Sequence, residues 1–219
     1  MKRILLSAFI GLCAVASALA QMGIGVDLGL PSGTKWATCN VGASQPEEFG
    51  NYFAWGEVEV KSWYGTAPYA WYTKTEYSGH YTKYVVNNVN GGYVDGINEL
   101  EEQDDVANLR WGKKWRIPST NDLDKLLKLC TWKWTKLNKA KGYTVTGPNG
   151  NSIFLPAAGM RIEYDLKYDN TDGYYYTRSL CKDSYYVNNA DYLYFDRFDT
   201  ARKNITRFRG YTIRPVCYE

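Results

Sequence analysis

Histidine is almost absent from this chain: His80 is the only one among 219 residues. That excludes a metal site built from several imidazoles. No CxxC pair occurs, which speaks against structural zinc, whose cysteines come at short spacings. GxSxG, HExxH and a glycine-rich phosphate cradle are all missing, and with them the common signatures of acyl transfer, zinc hydrolysis and nucleotide binding. Charge of one sign is scarce too, with 26 Lys and Arg against 23 Asp and Glu. Such a balance lacks the clustered positive field that neutralises phosphates, so no nucleic-acid partner is expected. After residue 20 no apolar run approaches the ~20 residues of a membrane-spanning helix. No period of ~20 to 50 residues repeats and no low-complexity linker divides the chain, which argues for one domain.

What the chain does have is aromatic surface. Aromatics make up 16% of it, with 20 Tyr and 8 Trp. Rings with a polar end give broad contact area at low entropic cost, so the composition points to a large contact surface. Hydrophobic residues reach 45%, enough for a real core and too many for disorder. At the start, Met1-Lys2-Arg3, an apolar run over 4–16 and Ala18-Leu19-Ala20 have the basic, apolar and small-residue regions of a secretory signal cleaved after Ala20. Residues 1–20 are read as that signal and 21–219 as the mature domain, which places the protein in the secreted, periplasmic or outer-surface class. Cys13 is not read as a lipid anchor, because Leu12 stands where a small residue would precede it. Losing Lys2 and Arg3 leaves the mature chain with an excess of a single positive charge. Cys39, Cys130, Cys181 and Cys217 remain; an oxidising compartment permits disulfides among them, and buried thiols are the equal alternative.

Strands are expected over 26–30 and 35–41, joined by Pro31-Ser32-Gly33, and in a hairpin, 142–146 and 152–155, around Pro148-Asn149-Gly150. Further strands are expected over 173–180, 191–196 and 211–218. One short helix follows Asp104 and Asp105, whose charges favour a helix N-terminus. A stronger one starts at Ser119, with Asp122 completing a capping box and Leu123, Leu126, Leu127 and Cys130 on one face. Residues 47–96 are rich in Gly and Tyr without clean periodicity, as in a long irregular segment held by ring packing. Two helices beside a late antiparallel sheet read as α+β.

Longer stretches carry a family likeness. Val26-Asp27-Leu28-Gly29-Leu30-Pro31-Ser32-Gly33-Thr34-Lys35-Trp36-Ala37, Tyr52-Phe53-Ala54-Trp55-Gly56-Glu57, Trp111-Gly112-Lys113-Lys114-Trp115-Arg116-Ile117-Pro118-Ser119, Leu155-Pro156-Ala157-Ala158-Gly159, Gly173-Tyr174-Tyr175-Tyr176-Thr177-Arg178-Ser179 and Ile213-Arg214-Pro215-Val216 occur in the order of the Fibrobacter succinogenes major paralogous domain, a family of secreted proteins of gut Bacteroidetes. The chain resembles that family over nearly all of its mature length, with Tyr176 and Arg178 as departures from the usual Gly-Tyr-Tyr-Trp-Ser-Ser-Ser. The resemblance implies a C-type-lectin-like single domain: paired terminal strands, two flanking helices, antiparallel strands and long irregular loops that display a ligand surface. It also implies that the first and last strands bring Cys39 and Cys217 together as a disulfide. A weaker resemblance links Ala190, Leu193, Phe195 and the Arg-Pro-Val ending to the variable domains of diversity-generating retroelements.

The Glu-Pro-Asn and Trp-Asn-Asp triplets of calcium-dependent sugar binders are absent. Asp169-Asn170-Thr171-Asp172-Gly173 reads better as a polar turn than as a calcium loop, so neither a metal nor a cofactor is expected. Formylglycine-generating enzymes share the broad fold implied, but their paired C-terminal cysteines have no counterpart. Trp132 and Trp134 have two readings, a sugar-stacking platform or packing on one strand face. The chain is accordingly read as a non-catalytic binding domain for a protein or glycan ligand, with a surface or pilus assembly component, or an enzyme built on carboxylates, as the alternatives. Rings and cations are dense over 174–209, and alternation is expected to turn Tyr192, Tyr194 and Asp196 outward. The expected ligand contacts are Arg178, Tyr185, Tyr186, Tyr192 and Arg197.

Overall fold

In the computed structural model, which describes residues 24–74, 79–87, 93–183 and 188–218, the two ends of the chain meet in one sheet. Residues 1–20, read from the sequence as a secretory signal, lie outside the described residues. β1 (Gly25–Asp27) turns through Pro31 and Ser32, where Gly33 N–H donates to the Leu30 carbonyl at 3.0 Å, and returns as β2 (Lys35–Ala37). β14 (Val216–Cys217) lies antiparallel between β2 and β5 (Trp115–Arg116). The expected strands at 26–30, 35–41 and 211–218 are thus real but shorter, continued by single bridges such as Phe53 to Tyr211.

Two helices stand among the described residues. α1 (Val106–Trp111) is capped by Asp105, whose carboxylate accepts from Ala107 and Asn108 N–H, so one side chain satisfies the orphan donors of the first turn. α2 (Thr120–Leu129) opens with the Ser119–Asp122 capping box and buries Leu123 and Leu126. It is followed by a meander of β6 (Thr131–Leu137), β7 (Ala140–Thr146) and β8 (Ser152–Pro156), with the β7–β8 turn at Asn149 and Gly150 as expected. β3 (Tyr72–Lys74) pairs antiparallel with β4 (Gly79–Tyr81), which contains the half-buried His80, and β9 (Met160–Ile162) pairs antiparallel with β10 (Asp165–Lys167). The last sheet runs β11 (Gly173–Leu180), β12 (Ala190–Phe195), β13 (Thr200–Ile205). The architecture is α+β.

Both faces of that last sheet are covered. Successive side chains point to opposite sides, so Tyr174, Tyr176 and Tyr192 enter one hydrophobic cluster with Trp55, Tyr84 and Tyr211. Tyr175, Leu193 and Phe195 enter another with Trp36, Leu126 and Tyr143. The outward turn expected for Tyr192 therefore fails: it is 6% exposed, 5.0 Å from the Tyr211 ring centroid. Leu193 and Phe195 point inward as alternation requires.

The irregular segment before α1 explains much of the aromatic content. Backbone outside sheets and helices still needs hydrogen-bond partners when buried. Phenols supply them: Tyr52 donates to the Ala158 carbonyl at 2.5 Å, Tyr64 to Tyr52 at 2.6 Å and Tyr69 to Trp55 at 2.7 Å. Many rings read as contact surface are thus internal, with Tyr64, Tyr69 and Tyr84 at 2% exposure or less.

The Cys39–Cys217 disulfide is not formed. The terminal strands do pair, but the register sets Cys217 opposite Lys35. Cys39 lies four residues on from Lys35, in the bend after β2, and is not brought to Cys217. Instead Cys39 Sγ donates to the Ala43 carbonyl at 3.3 Å.

Candidate functional site

The site begins in the turn after β12. Asp196 Oδ1 accepts from Phe198 N–H at 2.7 Å and Asp199 N–H at 2.9 Å, while Asp196 N–H donates to the Asp199 carbonyl at 3.0 Å. An aspartate that bonds the backbone two and three residues on fixes a tight turn from within. Those N–H groups, foremost that of Phe198, hold the Asp196 carboxyl below its ordinary range. With the backbone so fixed, Arg197 and Phe198 project from the tip, Phe198 at 88% exposure and its ring 5.8 Å from the Arg197 guanidinium.

Below the tip lies a cleft of about 420 Å³, walled by Trp134 of β6, Lys141 of β7 and the turn Asn170-Thr171-Asp172 that leads into β11. Thr171 N–H and Oγ1 both donate to the Tyr168 carbonyl, at 3.1 and 2.7 Å, so this stretch is a closed polar turn, as expected. Tyr194 bonds two of the lining carboxylates: its hydroxyl lies 3.0 Å from Asp196 Oδ2 and 3.4 Å from Asp172 Oδ2, and Tyr174 donates to the latter oxygen at 2.9 Å. Burial, then the neighbouring carboxylates, pushes the Tyr194 phenol far up, so it stays a neutral donor. Lys203 Nζ sits 3.4 Å from the Tyr194 ring centroid.

This arrangement combines two carboxylates, which accept from hydroxyls, with the cations Arg197 and Lys141, which donate, and with the rings of Trp134 and Phe198. Trp132 and Trp134 face one side of β6 and pack on Tyr143 and Phe195; that is the packing reading, and Trp134 additionally reaches the cleft. Asn170 also borders a broader groove of about 790 Å³ beside Phe49 and Ala140, so a ligand longer than the cleft has surface to follow. For nucleophilic chemistry the thiols are poorly set: burial pushes Cys130 up to about 11 and raises Cys39 and Cys181.

Of the expected ligand contacts, Arg197 lies in the cleft. Tyr192 is buried core. Tyr185 and Tyr186 lie outside the described residues. Arg178 is half-buried on β11, donates to the Leu100 carbonyl, and faces a different cleft. The register pairs Gly173 with Phe195 and Leu180 with Ala190, so Arg178 and Arg197 lie toward opposite ends of the sheet and line different clefts. One small ligand does not touch both. Phe198 and Lys141 carry no sequence reading, and Asp172 enters only as part of the 169–173 polar turn; the available signal is the Asp196-Arg197-Phe198-Asp199 turn pattern between strands. Comparison with family models, curated proteins and solved structures returned no match for the chain.

Proposed function

We propose that the chain is a secreted or surface-displayed, non-catalytic binding domain of the Fibrobacter succinogenes major paralogous type, with a C-type-lectin-like fold, that takes a glycan in the Trp134–Phe198 cleft. The carrying observation is Phe198, 88% exposed at the tip of a self-bonded turn beside the cleft that contains Asp172 and Asp196. A solvent-facing ring beside paired acceptors and donors suits a sugar, which presents C–H faces to rings and hydroxyls to charges. The fold assignment draws support from the paired β2 and β14, the helix that follows Ile117-Pro118, and Arg214 buried in the C-terminal motif. The binding reading draws support from the carboxylates, since Asp196 is held low and offers no retained proton for general-acid work.

The test is a glycan array with the 21–219 domain, repeated with Phe198→Ala. Binding of a glycan set that Phe198→Ala weakens at least tenfold, on the order of a hot-spot loss, with an unchanged melting temperature, is the expected result. Self-association at micromolar concentration with no glycan bound would replace this reading by the assembly-component alternative.

A further inference from the structure

A second cleft lies at the other end of the sheet, and its charge is segregated in a chain that is nearly neutral overall. α1 ends at Trp111; Gly112, at φ 91°, reverses the chain, and Trp115 N–H donates back to the Gly112 carbonyl at 2.9 Å. The reversal leaves Lys113 and Lys114 exposed at a tip and sends Arg116 into β5. β5 pairs with β14, which delivers Tyr218 beside Arg116. Arg178 arrives from β11, whose backbone N–H at that residue donates to the Pro118 carbonyl at 2.8 Å. Lys113, Lys114, Arg116 and Arg178, from separate stretches of chain, thus line a cleft of about 330 Å³.

The nearby acids offset these cations only in part. Asp105 is 1% exposed and its oxygens accept from Ala107, Asn108 and Ile117 N–H, so it is spent on the fold. Glu102 is exposed and lines the cleft with the cations. Arg178 Nε is buried without a hydrogen bond, its nearest acid being Glu99 at 3.7 Å. Lys113 and Lys114 have no ion-pair partner among the described residues. Arg116 is already oriented, 2.8 Å from Asp122 and 4.5 Å from the Tyr218 ring centroid. The ring of Tyr218 is 45% exposed and adds an apolar surface.

We propose that this cleft binds a carboxylate-bearing sugar residue, the carboxylate meeting Arg178 and the two lysines and the sugar ring lying against Tyr218. Ammonium and guanidinium groups form charge-assisted hydrogen bonds to carboxylates, and the cleft is at the ~300 Å³ lower end of organic-ligand sites, larger than a bare ion needs. The site is separate from the Trp134–Phe198 cleft and stands whether or not that one takes a glycan.

The test is calorimetric titration of the 21–219 domain with galacturonate, glucuronate and sialic acid oligomers, each against its neutral methyl ester. Binding of at least one acidic form, at least tenfold weaker as the ester, is expected. The Lys113→Glu/Lys114→Glu variant should lower that affinity at least tenfold with an unchanged melting temperature, and Phe198→Ala should leave it unaltered. Equal binding of acid and ester, undiminished binding by the double variant, full displacement by equimolar inorganic sulfate, or no binding by any acid overturns the proposal.

Discussion

Asp122 ties together residues far apart in the chain. Its carboxylate accepts from Ser119 N–H at 2.9 Å, lies 2.8 Å from the Arg116 guanidinium, and receives the hydroxyls of Thr34 and Tyr218, each at 3.2 Å. Burial alone would raise its carboxyl, but the Ser119 hydrogen bonds and Arg116 outweigh burial and hold it below the ordinary 3.8. A folded value below the unfolded one means that the unfolded chain takes the proton first as pH falls. The stabilisation is therefore complete above pH 3.8 and is lost as pH drops through the folded value. Asp122→Ala is expected to cost about 3 kcal/mol at pH 7, the scale for removing one partner of a buried pair. In urea unfolding the gap between wild type and variant should narrow toward pH 2. Asp105 and Asp191 are raised, chiefly by burial, and so favour the folded state as pH falls; the difference between the two curves, rather than either curve, isolates Asp122.

Two glycines separate conformation from packing at the scale of the elements. Gly150 closes the β7–β8 turn at φ 87° with open space around it, so Gly150→Ala should cost only the backbone term, about 1 kcal/mol, measured by urea midpoint. At Gly173 an added Cβ would collide with the Phe195 ring, which makes it a seat for that ring rather than a turn. The Asn-Gly hairpin and α2 were legible because each is set by neighbours in the chain: a turn residue with positive φ, and a capping box before leucines on one face. β11 was legible in its bounds. β13 was not, since Thr200, Ala201, Arg202 and Lys203 form an edge strand exposed enough to need no apolar alternation. Tyr192 was misread because alternation assumes one wet face, and here the irregular segment before α1 covers it. No local pattern states what a distant loop will cover. Of the candidate cleft, Arg197 was legible as a contact, Trp134 only as one of two readings and Asp172 only as part of a polar turn, because β6, β7 and the turn before β11 are brought together by the fold alone.

Over the whole molecule, Arg214 links both ends to the middle. It is 1% exposed, and its guanidinium donates to Asn40 Oδ1 at 2.8 Å and to the carbonyls of Ala37, Thr38 and Phe154 at 3.0, 2.8 and 3.0 Å. Among the described residues no carboxylate pairs with this charge, and carbonyl oxygens replace its hydration. Arg214→Ala strands those acceptors, so a loss of about 3 kcal/mol is expected in thermal and urea unfolding, with both clefts retained in whatever fraction folds. The strand order β1-β2-β14-β5 has a mechanical side as well. β14 is bracketed by ladders on both edges, while β1, among the described residues, has a neighbour on one edge only. Tension applied through the C-terminal end must strip β2 and β5 at once, whereas tension through the N-terminal end peels a single edge strand. A domain held at a surface by its C-terminal end would bear load where its sheet is strongest, and under pulling from both ends β1 is the strand that yields first.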